Sequence, residues 1–179
     1  LEGIALRGDD SELLVVQEGS NSLVVVDLNT RRERSRCPLS AMTNYDTIAH
    51  HFPNPPDNNG LEGITVNTRN DHVVVVKEHQ PGLLIELDSS LTTILSTRVL
   101  QPSQGFIHPE LKAEKLDFSG LSYDSSSDTL WIVSDKGRCL FQYDWARNTV
   151  LQRLDLTIST GDKPKRIRKP EGVASVSYT

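Results

Sequence analysis

Short apolar runs, each followed by a polar turn, succeed one another along this chain. In each unit an apolar segment after a glycine leads to a polar turn, a second apolar run, another turn and a third run that ends in an acid. The second runs span residues 13–16, 73–76 and 130–133, and the third span 23–27, 83–88 and 140–144. Runs of this length bounded by turn residues predict β-hairpins. A weaker fourth run, clearest over residues 150–156 with its period-two alternation, completes a four-stranded antiparallel unit.

The same short motif opens every unit. Its copies are Leu1-Glu-Gly-Ile-Ala, Leu61-Glu-Gly-Ile-Thr, Phe118-Ser-Gly-Leu-Ser and Pro170-Glu-Gly-Val-Ala. Their starts at positions 1, 61, 118 and 170 are 60, 57 and 52 residues apart. This spacing is longer than that of solenoid repeats and is typical of propeller blades with long connections, each blade being a four-stranded antiparallel sheet.

The repeat predicts an all-β fold, a β-propeller fragment with about three four-stranded antiparallel blades plus the first strand of a fourth. We place the blades in one partial propeller domain at about 1–59, 60–116 and 117–169, with the next beginning at 170–179. Helical character is limited to a short turn near residues 109–115. Three blades cannot close a ring, and open edges would expose apolar strands. We therefore expect a fragment, a proteolytic remnant, or half of an oligomeric or split ring, with the remaining blades missing from this chain.

Two rows of oxygen-bearing side chains follow the repeat. The first row precedes the motif glycine and consists of Glu2, Glu62, Ser119 and Glu171. The second row stands sixteen residues later and consists of Glu18, Glu78 and Asp135. Because the first two strands of a unit form a hairpin, the start of the first and the end of the second lie at the same end of the blade. The first strand of a propeller blade lines the central channel, so both rows are expected to meet at the channel mouth.

Three interpretations of these rows remain open. Clustered carboxylates need a cation or proton in compensation, and an all-oxygen ligand set suits Ca²⁺ or Mg²⁺ better than zinc. On this reading a divalent-cation site, with calcium as cofactor, is formed by Glu2, Glu62, Glu171, Glu78, Asp135 and Ser119. Alternatively, each glutamate accepts backbone hydrogen bonds from the neighbouring blade, while the glycine permits close strand approach. The third reading is a catalytic carboxylate. Ser119 breaks the symmetry that a purely structural role would favour.

Composition and charge narrow the classes of function. The net charge of −5 argues against nucleic-acid binding, which depends on cations placed against phosphates. No apolar run approaches the roughly 18 residues that a membrane helix needs, so the chain as given is predicted not to span a membrane. Cys37 and Cys139 lack zinc-ligand spacing and are predicted to be buried small apolar residues. The chain begins at Leu1 with no charged and apolar leader, so we expect that any targeting segment was removed or not included. The sequence therefore does not indicate the cell compartment.

Other chemical groups give weaker signals. His79 follows Glu78 at the predicted mouth and is the better candidate for acid–base chemistry, whereas His50-His51 is interpreted as a solvated loop pair. Ser134 precedes an acid but lacks the Gly-x-Ser-x-Gly turn of serine hydrolases. The basic run 163–169 is interpreted as a solvated loop, with an anionic partner as the alternative.

The ordered motifs resemble the SdiA-regulated propeller family and, more distantly, phytase-like esterase and gluconolactonase-type propellers. The matching stretches are Gly60-Leu-Glu-Gly-Ile with Val75-Val-Lys-Glu, Asp117-Phe-Ser-Gly-Leu with Ile132-Val-Ser-Asp, and Pro170-Glu-Gly-Val-Ala. The resemblance covers most of the chain. It implies a ring of five or six blades, of which this chain holds the later part, and an extracytoplasmic setting that is periplasmic, secreted or membrane-anchored. In gluconolactonase-type relatives a channel-facing glutamate binds a divalent metal, which by analogy of fold points to Glu62 and Glu171.

These observations lead to one principal functional prediction and two alternatives. The principal prediction is a ligand-binding propeller module with a calcium site at the channel mouth and an unknown small-molecule or protein ligand. The first alternative is a metal-assisted hydrolase of phosphoesters or lactones, in which the cation polarises the substrate and a mouth carboxylate acts as base. The second is a protein-interaction scaffold without metal that uses the basic run.

Overall fold

The computed structural model describes residues 1–53, 60–160 and 163–175, and their regular secondary structure is almost entirely β. The first sheet contains β1 (Ile4–Arg7), β2 (Glu12–Gln17), β3 (Ser22–Asp27) and β4 (Arg32–Pro38). The second contains β5 (Leu61–Val66), β6 (Val73–Lys77), β7 (Leu83–Leu87) and β8 (Ile94–Val99). The third contains β9 (Gly120–Asp124), β10 (Thr129–Ser134), β11 (Cys139–Asp144) and β12 (Thr149–Asp155). A separate hairpin pairs β13 (Thr157–Thr160) with β14 (Lys163–Arg166).

Each four-stranded sheet is an antiparallel meander with its strands in sequence order, as a propeller blade requires. The predicted all-β architecture of three four-stranded blades is therefore confirmed. Short 3₁₀ turns join the strands at Glu18–Ser20, Leu39–Ala41, Tyr45–Thr47, Ala49–His51, Pro102–Gln104 and Ala113–Lys115. The last of these lies in the segment where the sequence predicts a turn. No α-helix is present in the described ranges, and none of these residues forms an apolar helix of membrane-spanning length.

The fourth copy of the motif lies beside β9 without forming a regular strand in the described part. The Ser175 N–H donates to the Ser122 hydroxyl (2.9 Å), and the Ser175 hydroxyl donates to the Tyr123 carbonyl (2.8 Å). Residues 170–175 thus occupy the position next to β9 that a following blade would use for its first strand. The remainder of the predicted segment, residues 176–179, lies outside the described residues.

The first four residues of the basic run 163–169 form the strand β14. The prediction of a solvated loop is wrong for these four residues. β14 pairs with the β-branched strand β13, which gives the run a hairpin partner immediately before it in the sequence. The Arg166 guanidinium forms a bidentate ion pair with the Glu110 carboxylate (2.7 and 2.8 Å), so one of its cations is neutralised within the chain.

The second blade is buried on both faces. Val73 and Val75 of β6 belong to the apolar cluster shared with the first blade, whereas Val74 and Val76 belong to the cluster shared with the third. Successive strand residues point to opposite faces of a sheet, so a strand that is covered on both sides must be apolar at every position. This explains the uninterrupted valine run of β6.

The motif glycines are the positions where the innermost strands approach one another. A Cβ on Gly3 would lie 2.7 Å from the Glu62 carbonyl oxygen, one on Gly63 would lie 2.9 Å from the Gly120 Cα, and one on Gly120 would lie 2.8 Å from the Glu171 carbonyl oxygen. Contacts this short leave no room for a side chain. The strand approach that the sequence analysis assigned to the glycines is observed, and it places the residues before them side by side.

The two cysteines differ in burial. Cys139 is fully buried, and burial raises the pKa of its thiol to about 11, so it behaves as an inert small apolar residue. Cys37 is only half-buried. The prediction of two buried cysteines is correct for Cys139 alone.

Candidate functional site

Both rows of oxygen-bearing side chains contribute to one cavity. It has a volume of about 190 Å³ and is lined by Glu2, Glu62, Glu78, Asp117, Ser119, Asp135 and Glu171. All six residues predicted from the sequence are among them. Five of the six are acidic, and they come from all three blades and from the segment that follows β14. The structure therefore brings together residues that are up to 169 positions apart.

Hairpin pairing places the two rows at the same end of each blade. The Glu2 N–H donates to the Val16 carbonyl near the end of β2 (3.2 Å), and the Ser119 N–H donates to the Val133 carbonyl near the end of β10 (3.0 Å). In the second blade the Glu78 N–H donates to the Gly60 carbonyl (3.0 Å). Each second-row acid is the first residue after its strand, and Glu78 and Asp135 line the cavity there.

Glu18 combines two of the proposed roles. Its Oε1 atom accepts a hydrogen bond from the Gly60 backbone N–H at the start of the second blade (3.3 Å). This is the contact between neighbouring blades that the structural interpretation expects. Carboxylate oxygens of Glu18, Glu62 and Glu78 also lie within 4.8 Å of one another, so Glu18 belongs to the acidic group as well.

Asp117 is the site residue that the sequence analysis missed. It is buried, and its Oδ1 atom accepts hydrogen bonds from the Ser134 hydroxyl (2.9 Å) and the Lys136 backbone N–H (2.9 Å). The available signal was local, because Asp117 stands two positions before Ser119 in the one blade that lacks an acid before its motif glycine. The third blade thus supplies its carboxylate from a displaced position.

A lysine partly compensates the acids. The Lys136 ammonium lies 3.6 Å from Glu78 Oε1 and 3.7 Å from Asp117 Oδ2, and its side chain is half exposed. His79, the predicted acid–base candidate, has its Nδ1 atom 3.1 Å from Glu78 Oε2 in an alignment that does not form a hydrogen bond. His50 and His51 lie in a 3₁₀ turn with their rings 3.9 Å apart and do not line the cavity.

The surplus of carboxylates changes their protonation. Burial, reinforced by the charges of Glu18, Glu2, Glu78 and Glu171, raises the pKa of Glu62 to about 8. Burial also raises the pKa of Asp135, with Asp117 and Glu171 adding to the effect and Lys169 and Lys136 opposing it. At neutral pH the cavity therefore retains a proton on Glu62 that a bound cation would displace.

The raised pKa of Glu62 predicts a stability that falls with rising pH when no divalent cation is present. An unfolded glutamate releases its proton near pH 4.5 and the folded one near pH 8, so the native state holds more protons between these values. The contribution of Glu62 to the free energy of unfolding is complete below pH 4.5 and is lost as the pH rises through about 8. Thermal denaturation in chelator across this range should show the melting temperature falling with pH.

Glu62→Gln is neutral throughout and should flatten that pH dependence. Glu114→Gln, which removes an exposed acid outside the cavity, serves as the matched control and should follow the wild-type curve. An equal slope in wild type and Glu62→Gln would contradict the assignment of the shifted group to Glu62.

Comparisons with known proteins identify one matching family and several similar structures. A family model described as SdiA-regulated matches residues 1–177. No curated protein matches the sequence. Among solved structures the chain is similar to the WD40 repeats of RRP9, with a TM-score of 0.53 and 13 % identity over 86 % of this chain and 38 % of that one. It is similar to U3-55K with a TM-score of 0.52, and to hydrazine synthase of Kuenenia stuttgartiensis with 0.55, each at 13 % identity.

These structural likenesses show the fold. WD40 repeats form four-stranded propeller blades, so the alignment of 86 % of this chain with such repeats shows a propeller architecture. The coverage of U3-55K is also 86 % of this chain and 38 % of that one, and for hydrazine synthase the figures are 88 % and 38 %. The chain thus spans less than two fifths of the length of the propeller structures that it matches.

Proposed function

This chain belongs to the SdiA-regulated family, and we propose that it is a ligand-binding propeller module whose acidic cavity binds calcium. The observation that carries the proposal is the convergence of seven oxygen-bearing residues on one cavity of about 190 Å³. Six of the seven are carboxylates, and the Lys136 ammonium beside them is partly exposed. Such a concentration of negative charge favours the binding of a cation.

The donor set and its spacing fit calcium. Ca²⁺ takes six to eight oxygen ligands at about 2.3–2.6 Å, so two ligands on opposite sides of one ion are up to about 5 Å apart. The carboxylate oxygens of Glu18, Glu62 and Glu78 lie within 4.8 Å of one another, which is inside that limit. These three residues would hold the ion, and its charge would offset the repulsion among them.

The size of the cavity supports a further ligand. A volume of about 190 Å³ is several times the roughly 30 Å³ that one water occupies in the liquid. An ion held on one side would therefore leave room for a small molecule, or for a side chain of a protein partner, to supply oxygen atoms. We propose an extracytoplasmic setting, because extracellular calcium modules work at ion concentrations of about 10⁻⁴–10⁻³ M.

The central test is a calcium titration followed by thermal denaturation. A ligand that binds only the native state stabilises it by about 2.7 kcal/mol when present at a hundred times its Kd, which corresponds to about 5–10 °C for a chain of this size. Glu62→Gln should abolish the calcium-dependent rise. Glu114→Gln, which makes the same chemical change at an exposed glutamate outside the cavity, should retain it.

Magnesium at the same concentration distinguishes the ion. Magnesium prefers octahedral geometry with shorter metal–oxygen distances and retains its bound waters. A smaller rise in melting temperature is therefore expected. No shift with millimolar calcium, or an equal rise in Glu62→Gln and wild type, would refute the calcium site.

A metal-assisted hydrolase is the second candidate function, and the contact between Glu78 and His79 favours it. Glu78 lines the cavity, and the His79 imidazole lies 3.1 Å from its carboxylate, so a small reorientation of the ring would let the two groups share a proton. Turnover of a panel of phosphoesters and lactones should then be lost in Glu78→Gln and in chelator, and kept in Glu114→Gln. A protein that binds calcium but turns over none of these substrates would support the binding module alone.

A further inference from the structure

A second cavity, of about 170 Å³, lies between the second and third blades. Its walls include Asn67, which follows the end of β5, and Asp128, which precedes β10. The acidic cavity instead lies at the start of β5 and the end of β10, where Glu62 and Asp135 are found. The second cavity is therefore at the opposite end of the blades and shares no residue with the first.

Apolar and aromatic side chains line part of this cavity. They are Val74 of β6 and Leu130 of β10, both buried, and the aromatic residues Tyr123 and Trp145. Trp145 is half-buried and fixed in place, because the Arg98 guanidinium lies 5.4 Å from its ring centre and the Tyr143 ring packs edge-on against it. A rigid aromatic surface of this kind suits the C–H face of an amphipathic ligand.

Two amide side chains supply hydrogen-bond donors. The Oδ1 atoms of Asn67 and Asn70 accept backbone N–H groups of their own turn, from Arg69 and His72 respectively (each 3.0 Å). This leaves the NH₂ group of each amide to donate, and within the described residues neither NH₂ group has a hydrogen-bond acceptor. The cavity thus offers fixed donors for oxygen atoms of a ligand.

The two carboxylates of the cavity already have partners within the chain. Asp128 pairs with the Arg69 guanidinium (2.9 Å) and accepts the Tyr123 hydroxyl (2.6 Å). Glu86 accepts from the Ser96 hydroxyl (2.7 Å) and lies 2.8 Å from His72 Nδ1. These carboxylates retain lone pairs that can accept further hydroxyl groups. A charged ligand would compete with these contacts, whereas the hydroxyl groups of a neutral ligand can add to them.

We propose that this cavity binds a neutral, hydroxyl-rich molecule of monosaccharide size. Its apolar C–H face would pack on Trp145, and its hydroxyl groups would donate to the carboxylates and accept from the asparagine amides. The volume of about 170 Å³ is that of five or six waters at roughly 30 Å³ each. A single sugar ring is accommodated, and a longer chain would project into solvent.

Saturation-transfer NMR with glucose, galactose, mannose and myo-inositol tests this site directly. At least one probe should show transfer to its C–H protons, and the signal should persist in chelator, which separates this site from the acidic cavity. Trp145→Ala should weaken binding by up to about tenfold, because the aromatic surface that contacts the sugar is lost. Asn70→Ala, an exposed change, should weaken it while leaving the melting temperature near that of wild type.

Trp131→Ala is the matched control, because Trp131 is the other tryptophan of the third blade, is also half-buried and does not line the cavity. It should retain sugar binding. Transfer from none of the four probes, transfer that survives both Trp145→Ala and Asn70→Ala, or binding of lysine or glutamate in preference to the sugars would each overturn the proposal.

Discussion

Phe106→Ala should lower the free energy of unfolding by about 3–5 kcal/mol, the range measured for deletion of a buried aromatic side chain. Phe106 is almost fully buried, and its ring centre lies 5.4 Å from that of Phe118, 5.2 Å from that of Phe141 and 5.5 Å from that of Tyr143. The connection between the second and third blades thus inserts an aromatic ring into their shared core. Its loss leaves a cavity that rigid strands on both sides cannot close. Urea denaturation at equilibrium measures the change.

The neighbouring residue provides the control. Ile107 is 58 % exposed, so Ile107→Ala should change the free energy of unfolding by less than about 0.5 kcal/mol. Similar losses for the two variants would show that the connection acts as an ordinary surface loop.

Gly63→Ala should cost about 3 kcal/mol, at the upper end of what overpacking a core usually costs. The added Cβ would lie 2.9 Å from the Gly120 Cα and 3.0 Å from the Leu121 nitrogen, both of which are backbone atoms of β9. Backbone cannot rotate away as a side chain can, so the inner strands of the second and third blades must separate. The same movement would displace Glu62 from the acidic cavity, and the calcium-dependent rise in melting temperature should shrink with it.

Gly19→Ala is the matched control for this substitution. A Cβ at Gly19 meets no atom within 4 Å, so the variant should unfold within about 0.5 kcal/mol of wild type and respond fully to calcium. If Gly63→Ala were as stable as Gly19→Ala, the close packing of inner strands would not be the reason for the motif glycine.

The strands could be predicted from the sequence because the pattern of apolar runs and turn residues that marks them is local. The apolar runs 73–76 and 130–133 coincide with β6 and β10 to within one residue, since each run is bounded by turn residues that end a strand wherever they occur. The grouping of these strands into four-stranded units was predicted from the same runs and turns. The hairpin β13–β14 was missed because its second strand is basic, and charge does not mark a strand as an apolar run does.

The acidic cavity was predicted from one topological rule. Once β1 and β2, or β5 and β6, are known to form a hairpin, Glu62 and Glu78 must lie at the same end of the sheet, whatever the neighbouring side chains are. Asp117 does not follow from the repeat, because it has no counterpart at the same position of the other blades. Its inclusion depends on the course of the backbone before β9.

The second cavity was not predicted. Asn67, Glu86 and Trp145 belong to different strands or turns of two blades, and their spacings in the sequence follow no repeat. They meet only because the second blade packs face to face on the third. Likewise, residues 101–116 carry no strand pattern, and nothing local distinguishes the buried Phe106 from the exposed Ile107.

The sequence by itself determined the strands, their grouping into four-stranded units and the end of each unit at which the acids lie, since all of these follow from turns and alternation within about sixty residues. Tertiary structure alone decided which blade faces meet, how closely the inner strands approach, and hence the pKa of Glu62 and the shapes of both cavities. The physical reason is distance along the chain. Burial and charge repulsion act between atoms close in space, and these atoms are brought together only by packing between blades.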